Sequence, residues 1–292
     1  MSFVQRQIDL KFELGKGSFG DSGFNTVSIS GLRASATIAK TGGVSLSNLD
    51  LRVYGMSLSN MNALSTLGKP LLDGRNNKVT VTAGDAGGAK SVVFSGIIQE
   101  AWADPNTAPD VAFLVQAYTG LVDNLKPLAP VSYPTTVDAA TVVSSLATQM
   151  GYAFENSGVS VQLSNAYFWG TGRQQLEQVA RHGGFNFFVD DVANTVAIWP
   201  KTGSRNGAIP LVNAQTGMVG YPQHTQNGII VTSLFNPNIV FGRQIKVESV
   251  VTPASGTWTV FGVTHDLESE TPGGKWFTQA QCTVLGHTAL GQ

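Results

Sequence analysis

The sequence predicts a mainly β protein with an α+β insert: two β domains, the first an antiparallel barrel or sandwich, and a small α+β module between them. Three observations carry this. Apolar and polar residues alternate at period two in short runs over residues 1–125 and again over 206–292, separated by Gly and Pro turns. Residues 126–205 change to helical spacing and then a hairpin. The length of 292 residues suits about two domains of roughly 150 residues.

In the first segment Ile8, Leu10, Phe12 and Leu14 alternate with Asp9, Lys11 and Glu13, the pattern of a half-buried strand. Val27 and Ile29 continue through Leu32, Ala34, Ala36 and Ile38, with Gly31 marking a bulge or bend. Leu49, Leu51 and Val53 form the next strand. Ser57 to Leu64 reads as one or two helical turns, with Ser57 as N-cap and Leu58, Met61 and Leu64 on one face. Val79 and Val81, Val92 to Glu100, and Val111 to Tyr118 complete a set of about six or seven strands, an antiparallel barrel or sandwich that is also free to borrow a strand from beyond the insert.

Pro127, Pro130 and Pro134 then mark a connection. Thr136-Val137-Asp138 opens a helix carrying Val142, Val143, Leu146 and Met150, which Gly151 ends. A strand is expected around Val159 to Leu163. A second helix opens near Thr171, carries Leu176, Val179 and Ala180, and stops at Gly183-Gly184. Phe185 to Val189 and Thr195 to Trp199 make a hairpin around Asp190 to Asn194. Beyond 206 the strands are Ile229 to Leu234, Gln244 to Val251, Thr257 to His265 and Trp276 to Leu285, with Pro237, Pro253 and Pro272 in turns.

Composition narrows the function. Lys plus Arg number 18 and Asp plus Glu 19, a net charge of −1, so there is no basic excess to neutralise nucleic-acid phosphates. Charged residues are only 13% of the chain, about half the usual share of soluble domains. Such a surface is either covered with Ser, Thr, Asn and Gly or buried against other chains, since interface cores are depleted in charge. One cysteine, Cys282, rules out an intrachain disulfide and fits synthesis in the cytoplasm. No signal-like start and no long apolar run is present, so no membrane insertion by this chain is expected.

Several motifs tempt and fail. Gly15-Lys16-Gly17-Ser18-Phe19-Gly20 matches a dinucleotide or kinase glycine loop, yet strand-like Phe24 to Ile29 follows where a phosphate-holding helix is needed. Neither an H-R-D nor a D-F-G follows downstream. Gly20-Asp21-Ser22-Gly23 resembles the nucleophile segment of chymotrypsin-like proteases, but His182, His224, His265 and His287 all follow Ser22, the wrong order for that base. These histidines and one cysteine have no zinc spacing. Asp190-Asp191 suits a turn, and Glu268 and Glu270 flank the turn at Pro272. Trp102, Trp169, Trp199, Trp258 and Trp276 could stack on sugars, but packing in cores or subunit interfaces is the expected use. No catalytic, cofactor-binding or metal-binding residue is assigned, and the chain is not expected to be an enzyme.

The order of segments resembles the baseplate hub (tail hub) proteins of contractile-tailed bacteriophages and the N-terminal part of type VI secretion spike proteins. The likeness is carried by Thr26 to Arg33 with Ala34, Thr37 and Ile38, by Asn48 to Gly55 leading into Met61 to Leu64, and by Val93 to Ile98. It continues in Gly170 to Leu176 and Phe185 to Asp190, then in Leu234 to Pro237, Gly242 to Val247 and Trp258 to Leu267. The resemblance implies two tail-tube-like barrels in one chain and a homotrimer forming a ring of six barrels. Such a ring adapts the six-fold tail tube to the three-fold central spike and nucleates tube assembly. The partners implied are further copies of the chain, the tail tube protein, the central spike protein and other baseplate proteins, within the virion. No lysozyme-like or long spike extension is recognisable, so wall degradation is expected outside this polypeptide. Competing readings are a carbohydrate- or receptor-binding tail module and a cell-wall hydrolase using Asp190 or Glu268. A tail-tube or terminator protein needs only one barrel.

Overall fold

The computed structural model describes residues 4–20, 23–43, 45–68 and 76–284. Its strands are β1 (Arg6–Glu13), β2 (Thr26–Ile29), β3 (Ala34–Lys40), β4 (Asn48–Tyr54), β5 (Lys78–Asp85), β6 (Lys90–Asp104) and β7 (Ala112–Tyr118). There follow β8 (Val131–Tyr133), β9 (Val137–Asp138), β10 (Ala153–Asn156), β11 (Gln162–Leu163), β12 (Ala166–Phe168), β13 (Phe185–Asp190) and β14 (Thr195–Pro200). The last are β15 (Leu211–Val212), β16 (Gln223–Thr225), β17 (Gly228–Leu234), β18 (Gln244–Val247), β19 (Gly256–Ser269) and β20 (Trp276–Val284). The helices are α1 (Leu58–Leu64), α2 (Leu121–Leu125), α3 (Ala139–Met150) and α4 (Gly172–Gly183). The protein is mainly β, with its longer helices confined to the insert, as the periodicity predicts.

Contacts divide the chain into two compact units. The first comprises Met1–Ala39, Ser47–Thr119 and Thr264–Phe277; the second comprises Lys40–Leu46, Gly120–Val263 and Thr278–Gln292. In the first, the sheet order is β19-β3-β4-β7-β6-β5-β1-β2. The alternation in the sequence becomes sidedness here. Ile8, Leu10 and Phe12 of β1, Ala36 and Ile38 of β3, and Leu49, Leu51 and Val53 of β4 are all buried, because odd and even side chains leave opposite faces of a strand. Register shifts at Val81/Thr82 and at Ile98/Glu100 bend β6. The sheet curls: Gln5 Nε2 donates to Glu270 Oε1 at 2.6 Å and the Arg6 guanidinium lies 5.7 Å from the Trp276 ring centre. No ladder closes it into a barrel among the described residues.

Among the described residues the second unit holds two large hydrophobic clusters and a small one of Phe188, Ala197, Trp199 and Phe241. One is the helical module, where Val142, Val143 and Leu146 of α3 and Leu176 and Val179 of α4 pack with Phe185, Phe187, Val196 and Ile198 of the sheet β10-β14-β13. Asp138 caps α3 by accepting from Thr141 N, and Gly151 at φ 86° ends it. The other large cluster gathers Val212, Val231, Ile245, Trp258, Val260 and Cys282 on the order β16-β17-β20-β19, with β18 beside β19 and β15 parallel to β18.

Four details depart from the expectations. The strand placed at Val159 to Leu163 survives only as β11, because Asn156 Oδ1 accepts from Gly158 N and Val159 N and turns the chain there. The strand placed at Gln244 to Val251 stops at Val247: Ser255 Oγ accepts from Ser249 N and donates to Ser249 O, closing a loop that leaves Val250 81% exposed. In α1 the expected face is buried only at Leu64, while Leu58 points outward. Helix α2 has no counterpart in the sequence reading, since its N-cap is Gly120 and no side chain caps it. Leu285, the expected end of the last strand, lies outside the described residues.

Candidate functional site

The loop Gly15 to Gly20 joins two paired strands, β1 and β2, rather than a strand and a helix. Gly15 N donates to Asn77 Oδ1 at 3.0 Å and Phe19 is buried. The arrangement is a hairpin loop tied into the first unit. Asp21, Ser22 and His287 lie outside the described residues. His182 is exposed at the end of α4, edge-on to Phe168; His224 is exposed on β16 and His265 is buried in β19. Among the described residues no group of three or more His, Cys, Asp or Glu side chains is placed to hold a metal. Burial raises the pKa of the Cys282 thiol, which keeps it protonated.

The carboxylates singled out by sequence are structural. Glu268 Oε2 accepts from Lys275 N at 3.0 Å and closes the β19–β20 turn. Asp190 Oδ1 accepts from Ala193 N at 3.1 Å in the β13–β14 turn. Asp190 and Glu268 belong to different units.

A buried charge network organises the helical module, and only Asp190 and Asp191 of it were singled out by sequence reasoning. Arg205 donates from Nη2 to Glu155 Oε2 at 2.9 Å, from Nε to Glu155 Oε1 at 3.2 Å, and from Nη1 to Asp190 Oδ2 at 3.5 Å. Its side chain is 1% exposed, so the two carboxylates replace water for it. Burial pushes the Glu155 carboxyl up, but the hydrogen bond and charge of Arg205 outweigh this and hold it below the ordinary range. Lys40, whose ammonium pKa burial lowers, is drawn by Asp190 and repelled by Arg205. Arg173, also buried, donates from Nη2 to Gly43 O at 2.7 Å and Ser45 O at 2.8 Å, holding both carbonyls. In a chain so poor in charge, an arginine between turn residues was the available signal.

Open surfaces among the described residues include three. Trp199, Trp258 and Trp276 are core residues and Trp102 is half-buried, but Trp169 is 59% exposed beside Tyr167, also 59%. Gln178 holds the Trp169 backbone from both sides, Oε1 accepting from its N–H and Nε2 donating to its carbonyl. In the second unit a cavity of about 550 Å³ is lined by Pro222, His224, Ile229, Val251, Pro253 and Trp258. On the sheet of the first unit, Ser35, Thr37, Asp50, Arg52, Trp102 and Gln116 line a concavity of about 340 Å³.

The architecture, a curled antiparallel sheet with a helical insert and a second β cluster, is that of phage tail proteins. The chain matches the 43 kDa tail protein of prophage MuSo2 from Shewanella oneidensis with TM-score 0.62 and 10% identity, over 98% of this chain and 99% of that one. A tail protein from Neisseria meningitidis MC58 matches with TM-score 0.62 and 8% identity, over 95% and 96%. The E. coli c3393 protein, a component of the type VI secretion system with structural similarity to the T4 tail proteins gp27 and gp5, matches with TM-score 0.57 and 11% identity, over 88% and 76%. No curated protein matches by sequence. The family model for baseplate hub gp41 covers residues 10–282, and the chain belongs to that family.

Proposed function

We propose that this protein is the homotrimeric structural hub of a contractile phage tail within the virion. Three copies form a ring of six barrel-like domains, which adapts the six-fold tube to the three-fold spike and nucleates tube assembly. The observation that carries the reading is the family match over residues 10–282. The low charge content supports it, because subunit interfaces of about 2,000–5,000 Å² in permanent assemblies tolerate few charges. The curled, unclosed sheet of the first unit supports it as well, since an open edge is satisfied by a neighbouring strand. In this reading 1–125 and 206–292 are the two tube-like domains and 126–205 the inserted module. The role is assembly rather than catalysis.

Native mass, measured alone and with the cognate tube and spike proteins, tests the reading. A trimer, or a three-fold complex that appears with partners, supports it. A monomer in both settings overturns it. A second reading, a carbohydrate- or receptor-binding tail module, is favoured by one observation, the exposed pair Tyr167 and Trp169. Glycan binding lost in Trp169→Ala would select that reading.

A further inference from the structure

We propose that Asp123 carries a proton in the folded protein, and that this proton latches helix α2 onto the helical module of the second unit. The hydrogen count points to it. Tyr152 Oη lies 2.9 Å from Asp123 Oδ2 and 2.5 Å from Asp191 Oδ1. A phenol has one hydrogen to donate, and ionised carboxylates have none. With both aspartates charged, one of these contacts would set two lone-pair oxygens against each other with no hydrogen between them. A second proton on one carboxyl supplies each contact with its own hydrogen.

The surroundings choose which. Asp191 makes the shorter contact, and its Oδ2 also accepts from Gly120 N at 2.7 Å. A backbone donor favours the ionised form. Asp191 is therefore the carboxylate, Tyr152 donates to it, and Asp123 as the acid donates to Tyr152 Oη. The other charged groups facing Asp123 are Arg173 of α4 and Lys126 just beyond α2, with Glu177 facing Arg173 in turn. Burial raises the Asp123 pKa and outweighs the opposing pull of Tyr152, Arg173, a backbone hydrogen bond from its own N–H and Lys126.

What the proton holds is a weak element. Helix α2 has five residues, none of them fully buried, and no side-chain cap. At its two ends the backbone bonds are Asn124 N to Gly120 O at 3.1 Å and Lys126 N to Val122 O at 2.8 Å. Isolated helices this short do not persist in water. The relay from Asp123 through Tyr152 to Asp191 ties it to the bend before β10 and to the β13–β14 turn. Because the folded pKa is raised, the contribution is whole below the unfolded value and is lost as pH rises through the folded one.

The test uses the full-length protein and Asp123→Asn, whose amide donates to Tyr152 Oη at every pH. Hydrogen exchange at residues 120–126 and denaturant stability are followed from acid to alkaline pH. Relative to the variant, wild-type exchange at α2 should rise by up to about tenfold per pH unit between the open-state and folded-state pKa values of Asp123 and level off above the folded one, with stability falling in step. Infrared spectra should show a carboxylic-acid C=O band in the wild type that Asp123→Asn removes. Identical pH profiles and no such band would overturn the proposal. Should the variant fail to fold, a wild-type aspartate 13C titration decides: one carboxyl titrating well above its fellows supports the latch, and none overturns it.

Discussion

Arg205 shows how much one charge can organise in a chain that has few. Its guanidinium is 1% exposed and meets Glu155 and Asp190. Replacing it with Met keeps most of the volume but strands two carboxylates, which costs about 3 kcal/mol when a buried pair loses one partner. Urea denaturation of Arg205→Met should show that loss. The pH sign follows from Glu155, whose folded pKa is depressed. Its contribution is whole above the ordinary carboxylate value and is lost as pH falls through the depressed one. Wild-type stability should decline on acidification through this group, and Arg205→Met should flatten that limb. Asp123 acts with the opposite sign, so the two variants separate the limbs of one stability profile. None of this geometry was legible beforehand. Arg205 lies 50 residues from Glu155 in the chain, and no spacing rule links them.

Among the elements, the helices of the insert were the most legible because their ends are written in side chains. Thr171 accepts from Gln174 N while the Gln174 side chain accepts from Thr171 N, a full capping box, and Gly184 at φ 66° ends α4. Thr171→Ala should cost about 1 kcal/mol, read as a lowered denaturation midpoint with an unchanged slope. Strands were legible where alternation was strict, as in β1 and β4. They were misplaced where a polar residue redirected the backbone: Asn156 turns the chain before Val159, and Ser249 with Ser255 ends β18 early. Valines in those stretches carry β propensity, and local hydrogen bonding overrode it. Helix α2, seated by tertiary contacts and capped by Gly120, left no sequence mark.

For the whole molecule, the contact division shows why chain order and packing are separate matters. Strand β19 begins in the second unit and finishes in the first, where it neighbours β3. Cutting the chain after residue 205 should therefore deprive the first unit of Thr264–Phe277. A fragment ending there should unfold at lower denaturant than the full chain, or precipitate through the freed β3 edge. Recovery of a stable fragment with the full chain's denaturation midpoint would count against the sharing of that strand.

By itself the sequence determined the mainly β class, the helical insert and its caps, the low charge and the order of segments that resembles tail hubs. These properties follow from local periodicity and composition, which every stretch of chain carries within it. Only the tertiary structure decided which strands neighbour each other, that Thr264–Phe277 returns to the first unit, and that Tyr152 stands between two aspartates. Those facts depend on residues brought together from distant positions, and burial then sets their protonation by removing the water that would otherwise satisfy them.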